Sequence, residues 1–237
     1  MKLTFLDKLV LGGSLWGGAI LFLVVIMEPN PENLTLTVSI LLSGVYTLVL
    51  YLTRGIWLNG LSKKPTINAV ILGSINAAVI ETLFFFTEKA FGASGVAAHP
   101  NLLIDLLMTM PWYIGMVWIF VRVQKTERFP AAIVLLLGAL YELGADGIVG
   151  GVIITSLVGE PVELANFLVL LLAAAFWQFI PVYSSIVLPP AWVLETTPKG
   201  GPDEKPRLIR GFLPLIWLIP FTIYLVLFLM AISYFGG

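Results

Sequence analysis

Ile67-Asn-Ala-Val-Ile-Leu-Gly-Ser-Ile-Asn76-Ala-Ala-Val-Ile-Glu81-Thr-Leu-Phe-Phe-Phe-Thr87 carries a single charged group. Lys63 and Lys64 precede it, and Glu88 and Lys89 follow it. A helix needs about 20 largely apolar residues to cross the hydrocarbon of a bilayer. This run has that length, and it holds an acid near one end. Six more runs of the same kind flank it, so hydropathy and breakers predict helices over roughly 9–27, 34–52, 67–87, 101–122, 131–155, 166–188 and 211–234. The chain of 237 residues is 59% hydrophobic and 11% charged, against about 25% charged in a soluble domain. The expected fold is all-α: a polytopic membrane helix bundle of about seven transmembrane helices, forming one transmembrane domain over 1–237. The first apolar block has no small-residue cleavage site and leads into further spans, so it reads as a retained helix.

The links between runs are short and polar. The longest, 194–210, contains Pro198-Lys-Gly-Gly-Pro202 and reads as a flexible cytoplasmic loop. Twelve of the thirteen basic residues fall in the links on one side and at the N-terminus; Lys89 alone falls on the other side. The positive-inside rule then puts the N-terminus in the cytoplasm and the C-terminus outside. An integral, multi-pass membrane localisation follows, with the membrane itself unspecified. Gly17-Gly-Ala-Ile20 running into Glu28-Pro29, and Gly150-Gly-Val-Ile153 running into Glu160-Pro161, suggest a faint three-plus-one-plus-three repeat of a kind used by some transporters.

Composition removes several chemistries. Net charge is −1, which gives no footprint for nucleic acid. There are no cysteines, hence no disulfide, thiolate or Cys-based zinc site. A single histidine, His99, excludes a multi-histidine haem, copper or zinc centre. No metal site and no cofactor are expected. The expected partners are a membrane lipid or apolar small molecule and the surrounding bilayer, with homo-oligomers or a larger membrane complex left open.

Four acids fall inside predicted spans: Glu81, Asp105, Glu142 and Asp146. At 1.5 Å rise per residue, Glu81 and Asp146 lie roughly 21–23 Å from the cytoplasmic ends of their helices. Asp105 reaches a similar level and Glu142 lies about a turn deeper. Glu142 and Asp146, spaced i and i+4, share a helix face. No Lys or Arg lies inside a span, Arg122 standing at the boundary of the fourth, although a charge at mid-bilayer costs about 2.5–3.5 kcal/mol even on the lenient insertion scale. Three arrangements resolve this: protonated acids, a wet cavity holding a cation, or a substrate that turns cationic during reaction. The plainer alternative is that each acid is protonated and hydrogen-bonded to a neighbouring helix as structural glue.

Other residues admit two readings. The glycines of Gly138 to Gly151 serve close helix packing or an unwound segment beside the acids. Pro111 and Pro181 predict kinks. Trp112 and Tyr113 are core or pocket lining, and Trp177 and Gln178 lie mid-span. Ser39, Ser43 and Thr47 form a weakly polar stripe that reads as a packing face. Glu28, Glu32, Glu88, Glu160 and Glu163 form an acidic outer rim.

Residues 67–188, about half the chain, resemble the emopamil-binding (EXPERA) superfamily, which includes the sterol Δ8–Δ7 isomerases and the sigma-2 receptor. The likeness rests on Gly73-Ser-Ile-Asn-Ala-Ala-Val-Ile-Glu81-Thr-Leu-Phe, on Asp105 ahead of Pro111-Trp112, on Tyr141-Glu-Leu-Gly-Ala-Asp146, and on Trp177-Gln-Phe-Ile-Pro181. It implies a four-helix portion whose acids surround an apolar pocket. There an acid protonates an alkene, and carboxylate and indole faces stabilise the carbocation. Departures are present too: Asn76 stands where the isomerases have histidine, and Ala174 where they have asparagine.

The leading expectation is a membrane-embedded enzyme or binding protein for a sterol or isoprenoid-type lipid, isomerase-like if an enzyme. Glu81, Asp105, Glu142 and Asp146 are its catalytic candidates; Asn76, Trp112, Tyr141, Trp177 and Gln178 are its substrate-binding candidates. The alternatives are a proton- or cation-coupled transporter or channel using the same acids, and a non-catalytic subunit of a membrane complex.

Overall fold

Residues 3–61, 63–154, 171–199 and 205–235 are described in a computed structural model of the chain. Among the described residues there are seven α-helices and no strand. Helix α1 (Phe5–Met27) starts on a capping box, in which Thr4 and Asp7 satisfy each other's backbone N–H groups. Helix α2 (Pro31–Trp57) is capped by Asn30, with Pro31 in the first turn, and tightens into a turn over Leu58–Leu61. Helix α3 (Pro65–Phe91) also opens on a proline and ends at Gly92, whose φ of 70° suits glycine.

The Asn101 side chain accepts the Leu103 and Ile104 N–H groups to start α4 (Leu102–Glu127). Helix α5 (Ala131–Glu142) continues over Leu143–Ile154 as a wider coil with i→i+5 bonding. A short wide turn, Leu171–Ala175, leads into α6 (Phe176–Glu195). A tight 3₁₀ segment, Leu208–Trp217, leads into α7 (Leu218–Phe235).

Six of the helices are long and apolar enough to cross a membrane. The exception is α6, interrupted by Pro181, Pro189 and Pro190 and diluted by Gln178, Ser184 and Ser185. Yet α6 is the centre of the bundle. It packs against each of α1 to α5, and every residue from Val182 to Leu194 is buried. The most apolar helices lie outside it, with Leu15 and Phe22 of α1 and Ile219 and Leu227 of α7 facing outward. Hydrocarbon solvates such side chains as well as protein does, so no hydrophobic penalty drives them inward.

At one of the three prolines of α6 a neighbouring helix replaces the hydrogen bond that is lost. Proline at i leaves the carbonyl of i−4 without its helical donor. Pro189 frees the Ser185 carbonyl, and Asn76 of α3 donates Nδ2–H to it at 2.8 Å. The Tyr46 hydroxyl of α2 donates to Asn76 Oδ1 at 2.8 Å, so three helices meet on one amide. Glycine at 73 lets α3 come this close: a Cβ there would lie 2.7 Å from Val117 and 3.1 Å from the Ile186 carbonyl. In α4, Pro111 frees the Leu107 carbonyl, and the Tyr224 hydroxyl of α7 donates to it at 2.7 Å.

The serine–threonine stripe of α2 is a seam. Ser39 hydrogen-bonds Thr87 of α3, and Thr47 bonds Ser184 of α6 at 2.6 Å.

Helix α6 runs on to Glu195, past the residue 188 at which hydropathy ends it; the first part of the expected span, 166–170, lies outside the described residues. Residues 155–170, with the second copy of the suspected repeat, lie outside the described ones. The loop expected over 194–210 is tied down on both flanks. Arg128, at φ 55° in the left-handed region, donates to the Thr197 and Pro198 carbonyls at 2.9 and 3.1 Å. Glu127 accepts the Arg207 N–H at 2.7 Å and pairs with Arg210 at 2.8 Å. The α4–α5 turn and the α6–α7 connection therefore share one end of the bundle.

Candidate functional site

A cavity of about 290 Å³ opens between α2, α3, α4, the α5 coil and α6. Glu81, Glu142, Asp146, Tyr113 and Gln178 supply its polar lining, and Ile40, Phe84 and Val182 are among its apolar walls. None of the described residues lining it is basic. Three of the four acids singled out in the sequence thus converge, from α3 and α5.

Each acid is held differently. Glu81, half-buried, accepts the Tyr113 hydroxyl at 2.6 Å, and Thr109 is within hydrogen-bonding reach of it. Glu142 is 4% exposed. It lies within hydrogen-bonding reach of Asp146 and of the Tyr183 hydroxyl, and its Oε2 has no partner among the described residues. Trp112 donates its indole N–H to Tyr183 at 2.8 Å, which leaves the Tyr183 proton free to point at Glu142. The rings of Tyr113 and Tyr183 lie 5.8 Å apart. The result is two tyrosine–carboxyl pairs side by side. Asp146, exposed among the described residues, stands four residues on from Glu142, where the helix has just widened.

A hydrogen bond between two carboxyl groups needs a proton on one of them, and two adjacent negative charges repel. Glu142 and Asp146 therefore suit a shared proton. Glu81 has a phenol donor that stabilises its charged form. A proton source and a negative charge, facing one apolar space, are the parts needed to generate and hold a cation.

Asp105 stands apart from this cavity. It is fully buried, accepts the His99 N–H at 3.2 Å, and leaves Oδ2 without a partner among the described residues. It remains within electrostatic range of Glu81 and Asp146. Buried Glu88 accepts the Val96 and Ala97 N–H groups at 2.8 and 2.6 Å. Glu88 and Asp105 thus pin the α3–α4 connection, and Val96 from that connection lines the cavity.

The substrate-binding candidates separate. Gln178 lines the acid cavity. Trp177 packs on Gly13 and Gly17 of α1 and lines a neighbouring space. Trp112 stands behind Tyr183, buried against Phe221. Asn76 is spent on Tyr46 and Ser185, and Tyr141 donates to the Gly211 carbonyl at 2.6 Å. Sequence reasoning missed Tyr183 and left Tyr113 undecided. Their signal was available: a phenol in mid-span needs a polar partner, and the acids are the main polar groups at that depth.

Compared with models of known protein families, with curated proteins and with solved structures, the chain matches none.

Proposed function

We propose that this protein is a membrane-embedded enzyme, or a binding protein of the same design, acting on an unsaturated apolar lipid of sterol or isoprenoid type. The observation that carries the reading is the cavity lined by Glu81, Glu142 and Asp146, two of them engaged by tyrosine hydroxyls, with no basic residue in its lining. The Glu142–Asp146 pair gives its proton to one carbon of an alkene. The π electrons form the new C–H bond, and the neighbouring carbon becomes cationic. Glu81, held by Tyr113, faces that charge. Loss of a proton from the adjacent carbon to a carboxylate restores an alkene one position along, so the net reaction is an isomerisation and the acids are reset. The EXPERA-like segments add to this reading.

The topology that accompanies it has the N-terminus in the cytoplasm and the C-terminus outside, a reading supported by the twelve basic residues grouped on one side.

The test is exchange from heavy water. Protein in detergent is incubated in D₂O with a total membrane lipid extract, and the lipids are analysed by mass spectrometry. Deuterium enters one lipid class with the parent protein and not with Glu142→Gln or Asp146→Asn. No deuterated lipid, together with unaltered binding of a cationic amphiphile by Glu81→Gln, would sink the proposal. Proton flux in proteoliposomes without lipid labelling would point to transport instead.

A further inference from the structure

The acid cavity is the end of a longer space. A second space of about 130 Å³ adjoins it between α1, α2 and α6, and the two share Ile40 and Gln178. A third, of about 410 Å³, adjoins the second through Ser14, Gly44 and Pro181. The order is the same along every helix that lines them. On α2 the lining passes from Leu36 and Ile40 to Gly44 and Thr47. On α6 it passes from Gln178 to Pro181, Ser184 and Leu188, and on α1 from Leu21 to Ser14 and Asp7. At 1.5 Å per residue this is a trough about 20 Å long, parallel to the helices.

Its walls suit hydrocarbon rather than water. Thr47 and Ser184 bond each other, and their hydroxyls also reach the Ser43 and Pro181 carbonyls at 3.1 and 2.6 Å. Asp7, at the far end, is occupied by Thr4. The chemically active groups stand at one end only. The middle space is the smallest of the three, at about 130 Å³ against about 290 and 410 Å³, and Gly18, Gly44 and Pro181 border it.

We infer that the substrate is a long linear unsaturated hydrocarbon chain, threaded between α1, α2 and α6 with its reacting end among Glu81, Glu142 and Asp146, and that Gly18 and Gly44 set the chain length accepted. The inference rests on the proposed lipid chemistry and narrows it from sterol or isoprenoid to a chain.

The test uses the full-length protein in detergent with tritiated geraniol, farnesol, geranylgeraniol, oleyl alcohol and cholesterol. In the parent, affinity rises by roughly tenfold from farnesol to geranylgeraniol, as further methylenes enter an apolar channel. Gly44→Leu and Gly18→Leu lose that rise and keep geraniol binding; Gly18 faces open space, so its variant needs no repacking. Gly12→Leu, also in open space but outside the trough, behaves as the parent. Thermal unfolding of each variant confirms its fold.

Oleyl alcohol matching geranylgeraniol extends the site to acyl chains; weak binding restricts it to polyprenyl ones. Parent-like geranylgeraniol binding by both plugged variants overturns the threaded chain, and so does cholesterol binding more tightly than geranylgeraniol; either leaves the acid chemistry standing. If the parent binds no alcohol and transfers no deuterium, the lipid reading itself fails.

Discussion

Glu127 lies at one end of the bundle and Glu142 within it, and the two are about equally hidden, at 5% and 4% exposed. Glu127 receives a backbone N–H from Arg207 and a guanidinium from Arg210. Glu142 receives no cation, has Asp146 beside it, and keeps one oxygen without a partner among the described residues. A buried carboxylate supplied with donors holds structure together. One left short of donors, at the edge of a cavity, is costly for folding and is useful only if something arrives to share its proton or its charge. The same contrast separates Glu88, which anchors a loop through two N–H groups, from Glu81, which has one phenol.

The sharpest way to break this comparison is to neutralise each glutamate. Glu142→Gln is expected to lower deuterium transfer into lipid by roughly 10²- to 10⁴-fold, the usual worth of a positioned general acid. Its unfolding free energy should not fall by more than about 1 kcal/mol, as read by chemical denaturation, because an amide of the same shape replaces a carboxyl short of donors. Equal loss of transfer in Glu127→Gln would erase the distinction. Next in size is Asn76→Ala. It strands the Ser185 carbonyl and the Tyr46 hydroxyl, and should cost about 2 kcal/mol in the same denaturation assay while leaving lipid binding intact in the folded fraction.

Tyr113→Phe is milder. Glu81 loses its donor, and transfer should fall by about tenfold with stability nearly unchanged; a result equal to the parent would show that the phenol merely packs. Smallest is Glu127→Gln. Its partner Arg210 is largely open to solvent, so the change should cost about 1 kcal/mol or less and show as a small drop in unfolding temperature.

Much of this architecture could be read along the chain. Membrane helices make their backbone hydrogen bonds locally, so length and hydropathy suffice to find them. Hydropathy places the starts of α1 to α4 within about five residues of the caps that set them in the structure, at Thr4, Asn30, Lys64 and Asn101. The sixth helix was harder, because its prolines read as breakers, and the donor that compensates Pro189, Asn76, lies on another helix. Asn76 shows the same difficulty from the other side. Its place where the isomerases have histidine suggests the pocket, but the freed Ser185 carbonyl draws it elsewhere. Trp177 is similar: its indole is taken up by glycines far away on α1.

The sequence by itself determined a helical membrane bundle and an acid set with no basic residue inside the predicted spans, since both are properties of local runs. Only the tertiary structure decided that the helix with three prolines stands at the centre, that Glu81, Glu142 and Asp146 share a chamber while Asp105 holds a loop, and that Tyr113 and Tyr183 attend them. Those outcomes depend on which groups, far apart in the chain, meet where no water is present to satisfy them. In hydrocarbon an unpaired polar group costs several kcal/mol, and that cost decides how the helices are arranged around one another.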